Sequence, residues 1–392
     1  MTDYNEFKKI IISQTDLYKN ELIELNDWLF DNPELSGQEF NASKRIVNLL
    51  QEKGYNTEYP FAALPTSFKA VYGKDNHKHK IAIMTEYDAL PDIGHACGHC
   101  LSGSISVLAG LSLAGLQDEL DTDIHILGTP VEETDGAKCA MVKDGVFNDY
   151  DMAIMIHMYD DNIVAPKLLA LDSYMYNFHG KAAHASASPW DGINAFNAAQ
   201  LMFHGIDMLR QHVTPDVRMH GIIQHGGEAP NIVPEEVSAE VYIRALDRKY
   251  LNHVVKNVDN CAEGGCIATQ AKWDKYATAA SYDNLKPNPT GAEALKEVYN
   301  ELGIPLDSNP DRIFGSSDVG NVSFACPAFQ PCLQVVEHGV PIHTREFASV
   351  MKTEKAHSIL VIGANIIALD IAKIFSDEIR IRSMREDFNK VL

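Results

Sequence analysis

The stretch from Glu86 to Cys100 reads Glu-Tyr-Asp-Ala-Leu-Pro-Asp-Ile-Gly-His-Ala-Cys-Gly-His-Cys, so two histidines, two cysteines and three carboxylates follow directly on the apolar run Ile81-Ala82-Ile83-Met84. A strand that delivers such a loop builds a site at the carboxyl end of a sheet. Cys97 and His99, one glycine apart, can reach one centre from a tight turn, and thiolate with imidazole suits a transition metal, zinc foremost. The same pair also suits a cysteine nucleophile with a histidine base, or an ordinary turn with a buried thiol. Three further sets follow strand-like segments: Glu132-Glu133 in Thr129-Pro130-Val131-Glu132-Glu133, His157 after the apolar residues 152–156, and His343 in Pro341-Ile342-His343-Thr344. Adjacent glutamates can divide labour, one holding a metal and its neighbour moving protons, but they also open solvated helices. A histidine closing an apolar run is often a core residue, and His343 reads equally as a loop residue. Together, five donors would suit two metals sharing a water. Later in the chain, Arg244 and Asn231 could hold a substrate carboxylate. His184, in Gly180-Lys181-Ala182-Ala183-His184, and His225, in His225-Gly226-Gly227, complete the candidates.

The elements that must position these residues fall into two rhythms. Helical spacing covers residues 5–30 and 38–54, split by the breaker Asn32-Pro33-Glu34-Leu35-Ser36-Gly37. Residues 68–72, 80–85, 123–128 and 152–157 read as strands, with helices at 101–116 and 136–144. Such alternation predicts an α/β domain, a mostly parallel sheet with helices on both faces. From residue 173 the order becomes strand 173–179, helix 192–212, strands 218–225 and 237–244, helix 249–263 and strand 267–276. That β-α-β-β-α-β unit is ferredoxin-like and closes as a small domain. After Asn284-Leu285-Lys286-Pro287-Asn288-Pro289, helix 291–302, strand 329–336 and helix 353–375 resume. The expected organisation is one α/β domain formed by 1–172 and 285–392, interrupted by a smaller one at 173–284.

With 392 residues, 45% hydrophobic and 22% charged, the chain has ordinary globular composition and room for two domains. A formal net charge of −21 disfavours nucleic acid and anionic membranes as partners. The opening Met1-Thr2-Asp3-Tyr4-Asn5-Glu6 lacks a signal-peptide pattern, and the apolar runs at 106–116 and 359–369 are short for a membrane span. Seven scattered cysteines, an odd count, fit a reducing compartment better than a disulfide framework. A soluble cytoplasmic protein is expected.

Taken in order, Asn32-Pro33-Glu34-Leu35-Ser36, Asp88-Ala89-Leu90-Pro91, His95-Ala96-Cys97-Gly98-His99, Pro130-Val131-Glu132-Glu133, Gly180-Lys181-Ala182-Ala183-His184, the Gly226-Gly227 and Pro230-Asn231-Ile232-Val233-Pro234 segment, and His343-Thr344 resemble the metal-dependent amidohydrolase and peptidase family of aminoacylase, hippurate hydrolase, plant auxin-conjugate hydrolases and aminobenzoyl-glutamate hydrolase. The segment Gly315-Ser316-Ser317-Asp318-Val319-Gly320-Asn321 resembles the aminobenzoyl-glutamate hydrolase and dipeptidase branch. The resemblance implies that Cys97, His99, Glu133, His157 and His343 hold two divalent ions, zinc or alternatively manganese. It implies that Glu132 is general base and then acid, and that Asp88 orients a ligand or the base. His184 would support the oxyanion from a second subunit, while Asn231 and Arg244 bind the substrate carboxylate and His225 lines the same pocket. The inserted domain would serve as lid and dimerisation domain of a homo-oligomer, at least a dimer. The implied reaction is hydrolysis of an amide or peptide bond beside a free carboxylate, in an N-acyl amino acid or short peptide, with a metal-bound water as nucleophile. Departures are Cys100, where the family more often has Asp or Asn, Glu86 in place of Asp or Ala, and Thr134-Asp135 in a stretch that is often glycine. Two other readings stand beside this one: a Cys97-dependent hydrolase indifferent to chelators, and a catalytically silent binding or assembly protein that keeps the fold.

Overall fold

A computed structural model describes residues 3–307 and 312–390. The chain divides into two compact units, the first made of Met1–Pro166, Leu285–Arg312 and Asp318–Leu392, the second of Lys167–Asn284 and Ile313–Ser317. The boundary thus falls ahead of residue 173, and a short later segment joins the second unit. Two backbone bonds account for this: Leu169 N–H donates to Gly315 O at 2.9 Å and Phe314 N–H to Lys167 O at 3.0 Å.

In chain order the strands are β1 (Tyr55–Glu58), β2 (Lys69–Tyr72), β3 (His79–Thr85), β4 (Thr122–Gly128), β5 (Met152–Ile154) and β6 (His157–Tyr159) in the first unit. The second unit holds β7 (Ala170–His179), β8 (Arg218–His225), β9 (Glu236–Ala245) and β10 (Lys272–Ala277), and the first resumes with β11 (Ala328–Phe329) and β12 (Cys332–Gln334).

The first unit's main sheet has the order β1-β2-β4-β3-β5-β11. Its centre is parallel (β4-β3-β5-β11), and β1 and β2 add an antiparallel edge. Every residue of β4 is buried, as expected of a strand covered on both faces. Helices Tyr4–Asp31, His99–Leu113 and Glu354–Phe375 contribute to one core with Ile81, Ile83, Ile124 and Ile126. On the other face Ala82, Met84 and Leu127 meet Met141, Phe147, Val319 and Val322. Two helical segments, His99–Leu120 and Glu354–Phe375, are apolar and long enough to cross a membrane, but 89% and 78% of their apolar windows are buried inside the protein, which marks them as core helices.

The expected strand at 329–336 is two strands: Pro331 interrupts it, so β11 pairs with β5 and β12 with β6. In the same way 152–157 divides into β5 and β6. Strand β1 and helices Val319–Ala325 and Glu378–Lys390 carry no clear periodic signal and emerge only from the packing.

Asp370, on the helix Glu354–Phe375, is fully buried, and neither carboxylate oxygen has a hydrogen-bond partner. Burial raises its pKa well above the ordinary aspartate value. A raised folded-state pKa contributes stability that is complete below the unfolded value, about 4, and is lost as pH rises through the folded value. Asp370→Asn removes that loss, so its melting temperature relative to wild type should climb from pH 4 to pH 8. A constant offset across that range would contradict the assignment.

The second unit is the β-α-β-β-α-β arrangement, an antiparallel sheet ordered β10-β7-β9-β8. Along β9 the buried residues alternate (Val237, Ala239, Val241, Ile243, Ala245) and pack with helices Ala195–Leu209 and Arg248–Thr269. The second of these helices continues past residue 263, and β10 starts at Lys272 instead of 267. In the fold, Gly265 sits so close to the backbone of Ala198 that a Cβ would lie 2.6 Å from its carbonyl oxygen, so glycine here permits helix contact.

Candidate active site

Three loops at the carboxyl ends of adjacent parallel strands bring Cys97, His99, Glu132, Glu133 and His157 together. Residues 86–98 follow β3, residues 129–136 follow β4, and His157 opens β6 just beyond β5. This is where α/β sheets place their sites. Gly98 makes the first loop possible: its φ of 85° puts it in the left-handed region, between Cys97 and the helix that starts at His99.

Cys97 Sγ lies 3.4 Å from His157 Nε2 and 3.4 Å from His343 Nε2. His343 Nε2 is 3.6 Å from Glu133 Oε2, and His99 Nε2 is 3.9 Å from Glu132 Oε2. Cys97 therefore belongs to two sets of donor atoms close enough for one ion each, Cys97–His99–His157 and Cys97–Glu133–His343. The residues fit a pair of cations on the evidence of their unmet bonds: His99 Nε2 and Glu133 Oε1 are buried without hydrogen-bond partners. A thiolate, imidazoles and a carboxylate form a donor set suited to zinc. Two other acidic clusters among the described residues already have cations, Lys80 at 3.2 Å from Asp75 and Arg312 at 3.0 Å from Asp160.

Asp88 fixes the geometry. Its Oδ1 is 3.0 Å from His99 Nδ1, and its Oδ2 accepts from Ser36 Oγ at 2.7 Å and from Glu133 N–H at 3.0 Å. A carboxylate accepting from Nδ1–H leaves Nε2 as the donor atom toward a metal. Burial would raise Asp88, but His99 and these hydrogen bonds outweigh it and hold the carboxyl well below its ordinary range. Burial alone would lower His99; Asp88, Cys97 and Glu86 reverse that and raise it. His157 is pushed down to about 4, chiefly by burial, which keeps the imidazole neutral and able to ligate at pH 7. Its Nδ1 is held by Met158 O at 2.8 Å.

Glu132 sits beside this donor set, and burial raises its pKa well above the ordinary value, reinforced by Glu86, Asp318 and Glu133. The residue before it, Val131, has φ of 64°, which strains a β-branched side chain. Val131 N–H donates to the buried Glu39 at 3.0 Å, which holds the strained turn. His343 also has a positive φ, 63°, and its N–H donates to Ala96 O at 2.9 Å.

His184, His225, Asn231 and Arg244 belong to the second unit. His184 and Asn231 are neighbours there: His184 bridges to Ile232, and Ala185 N–H donates to Asn231 O at 3.0 Å. His184, His225 and Asn231 are exposed, whereas Arg244 is half-buried on β9 and donates to Ser316 Oγ at 3.1 Å. His95 is held by Leu29 O at 3.1 Å, and Cys100 is buried in the core, away from oxidants.

Two residues close to this donor set escape a reading by motif, Glu39 at a helix entry and Lys138 in a short helix. Nothing local marks their roles, since Glu39 holds Val131 and Lys138 holds Glu86 and Asp318, partners 92, 52 and 180 residues away.

Known proteins share both the sequence and the architecture. Residues 170–267 match the peptidase dimerisation domain. Xaa-Arg dipeptidase of Mus musculus is 30% identical, over 92% of this chain and 87% of that protein. One of the subunits of p-aminobenzoyl-glutamate hydrolase from Escherichia coli K12 is 25% identical, over 98% and 95%. A dinuclear metal-binding M20 peptidase from Bacillus subtilis shares the fold with TM-score 0.70 at 20% identity, covering 90% of this chain and 98% of that one. With relatives of this similarity along nearly its whole length, the chain belongs to the M20 metallopeptidase family and is a hydrolase of carbon–nitrogen bonds.

Proposed function

We propose that this enzyme cleaves an amide or peptide bond beside a free carboxylate, in a dipeptide or N-acyl amino acid, and that it depends on two divalent cations. The observation that carries the reading is a pair of three-donor sets sharing Cys97, with Glu132 beside them. Cys97, His99 and His157 would hold one cation, and Cys97, Glu133 and His343 the other; a thiolate favours zinc, with manganese as the alternative. When bound, such ions supply Lewis acidity that polarises the scissile carbonyl and acidifies water near neutral pH. Glu132 takes the proton of the attacking water and then gives it to the leaving nitrogen. Asp88 keeps His99 in the tautomer that serves the site. Arg244 and Asn231 bind the substrate carboxylate, with His225 lining the pocket, and His184 from a second subunit supports the oxyanion.

The second unit's surface supports the reading of a homodimer. Strand β8 is an edge strand with Ile222 59% exposed, and Met208 on the helix Ala195–Leu209 is 69% exposed. An open strand edge with apolar neighbours invites pairing with its own copy. All seven cysteines are free, in keeping with a cytoplasmic enzyme. A cysteine-nucleophile mechanism is disfavoured by the surroundings of Cys97: burial first, and then Glu133, raises the thiol, the reverse of what an activated thiolate needs.

The test is a substrate panel: Xaa-Arg dipeptides, aminobenzoyl-glutamate, hippurate and the C-terminal amide of each. Turnover is expected only with a free carboxylate. Equal rates on acids and amides would contradict the proposed carboxylate clamp, and no turnover anywhere would favour a silent binding protein. The acidic chain and the Xaa-Arg dipeptidase relative favour a basic leaving residue as the first arm to test.

A further inference from the structure

Glu86, which follows β3 and departs from the family pattern, is fully buried, yet only one of its oxygens has a hydrogen-bond partner. Oε1 accepts from Lys138 Nζ at 2.5 Å. Lys138 is itself fully buried and doubly anchored to Asp318, through Nζ to Oδ1 at 2.7 Å and its backbone N–H to Oδ2 at 3.1 Å. The free oxygen, Oε2, is buried without a hydrogen bond and lies 3.3 Å from His99 Nε2, which is equally without one. The two buried atoms therefore face each other without a hydrogen bond between them, as two donors to one ion would. With metal–ligand bonds of about 2.0–2.3 Å, two donors to one ion stand roughly 3–3.7 Å apart. The Glu86–His99 separation of 3.3 Å and the Cys97–His157 separation of 3.4 Å both fall in that range. Lys138 does not need this oxygen, because Asp318 already supplies it with a carboxylate.

We propose that Glu86 Oε2 is a fourth protein donor to the cation of Cys97, His99 and His157, held in place by the Lys138–Asp318 pair. The two cation sites are then unequal. The Glu86 site has four protein donors and is closed, and every donor residue in it is buried. The Cys97–Glu133–His343 site has three, and its His343 side chain is 48% exposed, so it remains open to water and substrate. The inference rests on the two-cation reading given above and assigns the residue that makes one site tighter.

The experiment is a zinc titration of the metal-free full-length protein against a competing chromophoric chelator, with cobalt absorption as a second readout. Wild type should fill two sites in separate steps, the tighter one first. Glu86→Gln keeps an oxygen for Lys138 and leaves the Lys138–Asp318 pair balanced, so the fold should persist; its tighter step should weaken by about 10–100-fold while the weaker step is unchanged. Glu86→Asp retains the charge facing Lys138 but withdraws the free oxygen, and should weaken the same step and alter the cobalt bands. Wild-type affinity and spectrum in either variant would overturn the assignment of Glu86. Wild-type protein that binds fewer than two ions would instead remove the two-cation reading, and this inference with it.

Discussion

Glu132→Gln is expected to bind two cations as wild type does and to lose about 10²–10⁴-fold in kcat. The amide is the same size as the carboxylate but cannot take a proton from water or pass one to the leaving nitrogen. The position suits that task, because burial, with Glu86, Asp318 and Glu133 close by, makes Glu132 a strong proton acceptor. The distinction matters because His99, Glu132 and Glu133 also lie close enough to hold one ion. Were Glu132 a ligand, the variant would lose metal together with activity. Metal content measured on the same preparation as kcat separates the two roles: full metal with near wild-type turnover would show that the base lies elsewhere.

How far the sequence reveals this site depends on the distance over which each residue acts. Cys97, His99, Glu132 and Glu133 are legible because each follows an apolar strand and sits in a local cluster, and His157 only because it closes such a strand. The ferredoxin-like unit is legible because a strand buried on one face alternates, as Val237 to Ala245 do. Lys138 is not, since a lysine in a short helix reads as solvated, and its partners lie 52 and 180 residues away. Glu86 stands out in the sequence only as a departure, and its role emerges where three chain segments meet. The helix Glu378–Lys390 buries only Ile381 and Met384, too narrow a stripe to announce itself. The strand at 329–336 is misread because the pattern of buried residues continues through Pro331 while the pairing partner changes.

Cys97→Ala should have the second large effect: loss of both zinc-binding steps and at least about 10²-fold loss of turnover. Its sulfur is 3.4 Å from one histidine of each donor set, so removing it weakens two sites at once. His157→Ala touches one set only and should lose one step while the other survives. If Cys97→Ala retained one full-affinity site, the thiol would belong to a single ion.

The claim that organises all of this is that turnover of a dipeptide requires divalent metal at these residues. It is tested most directly by stripping the enzyme with a chelator, removing the chelator, and following hydrolysis as zinc or manganese is added back. The account predicts no turnover in stripped enzyme and recovery that saturates at two ions per chain. Undiminished hydrolysis by fully stripped enzyme, abolished instead by thiol alkylation, would contradict it.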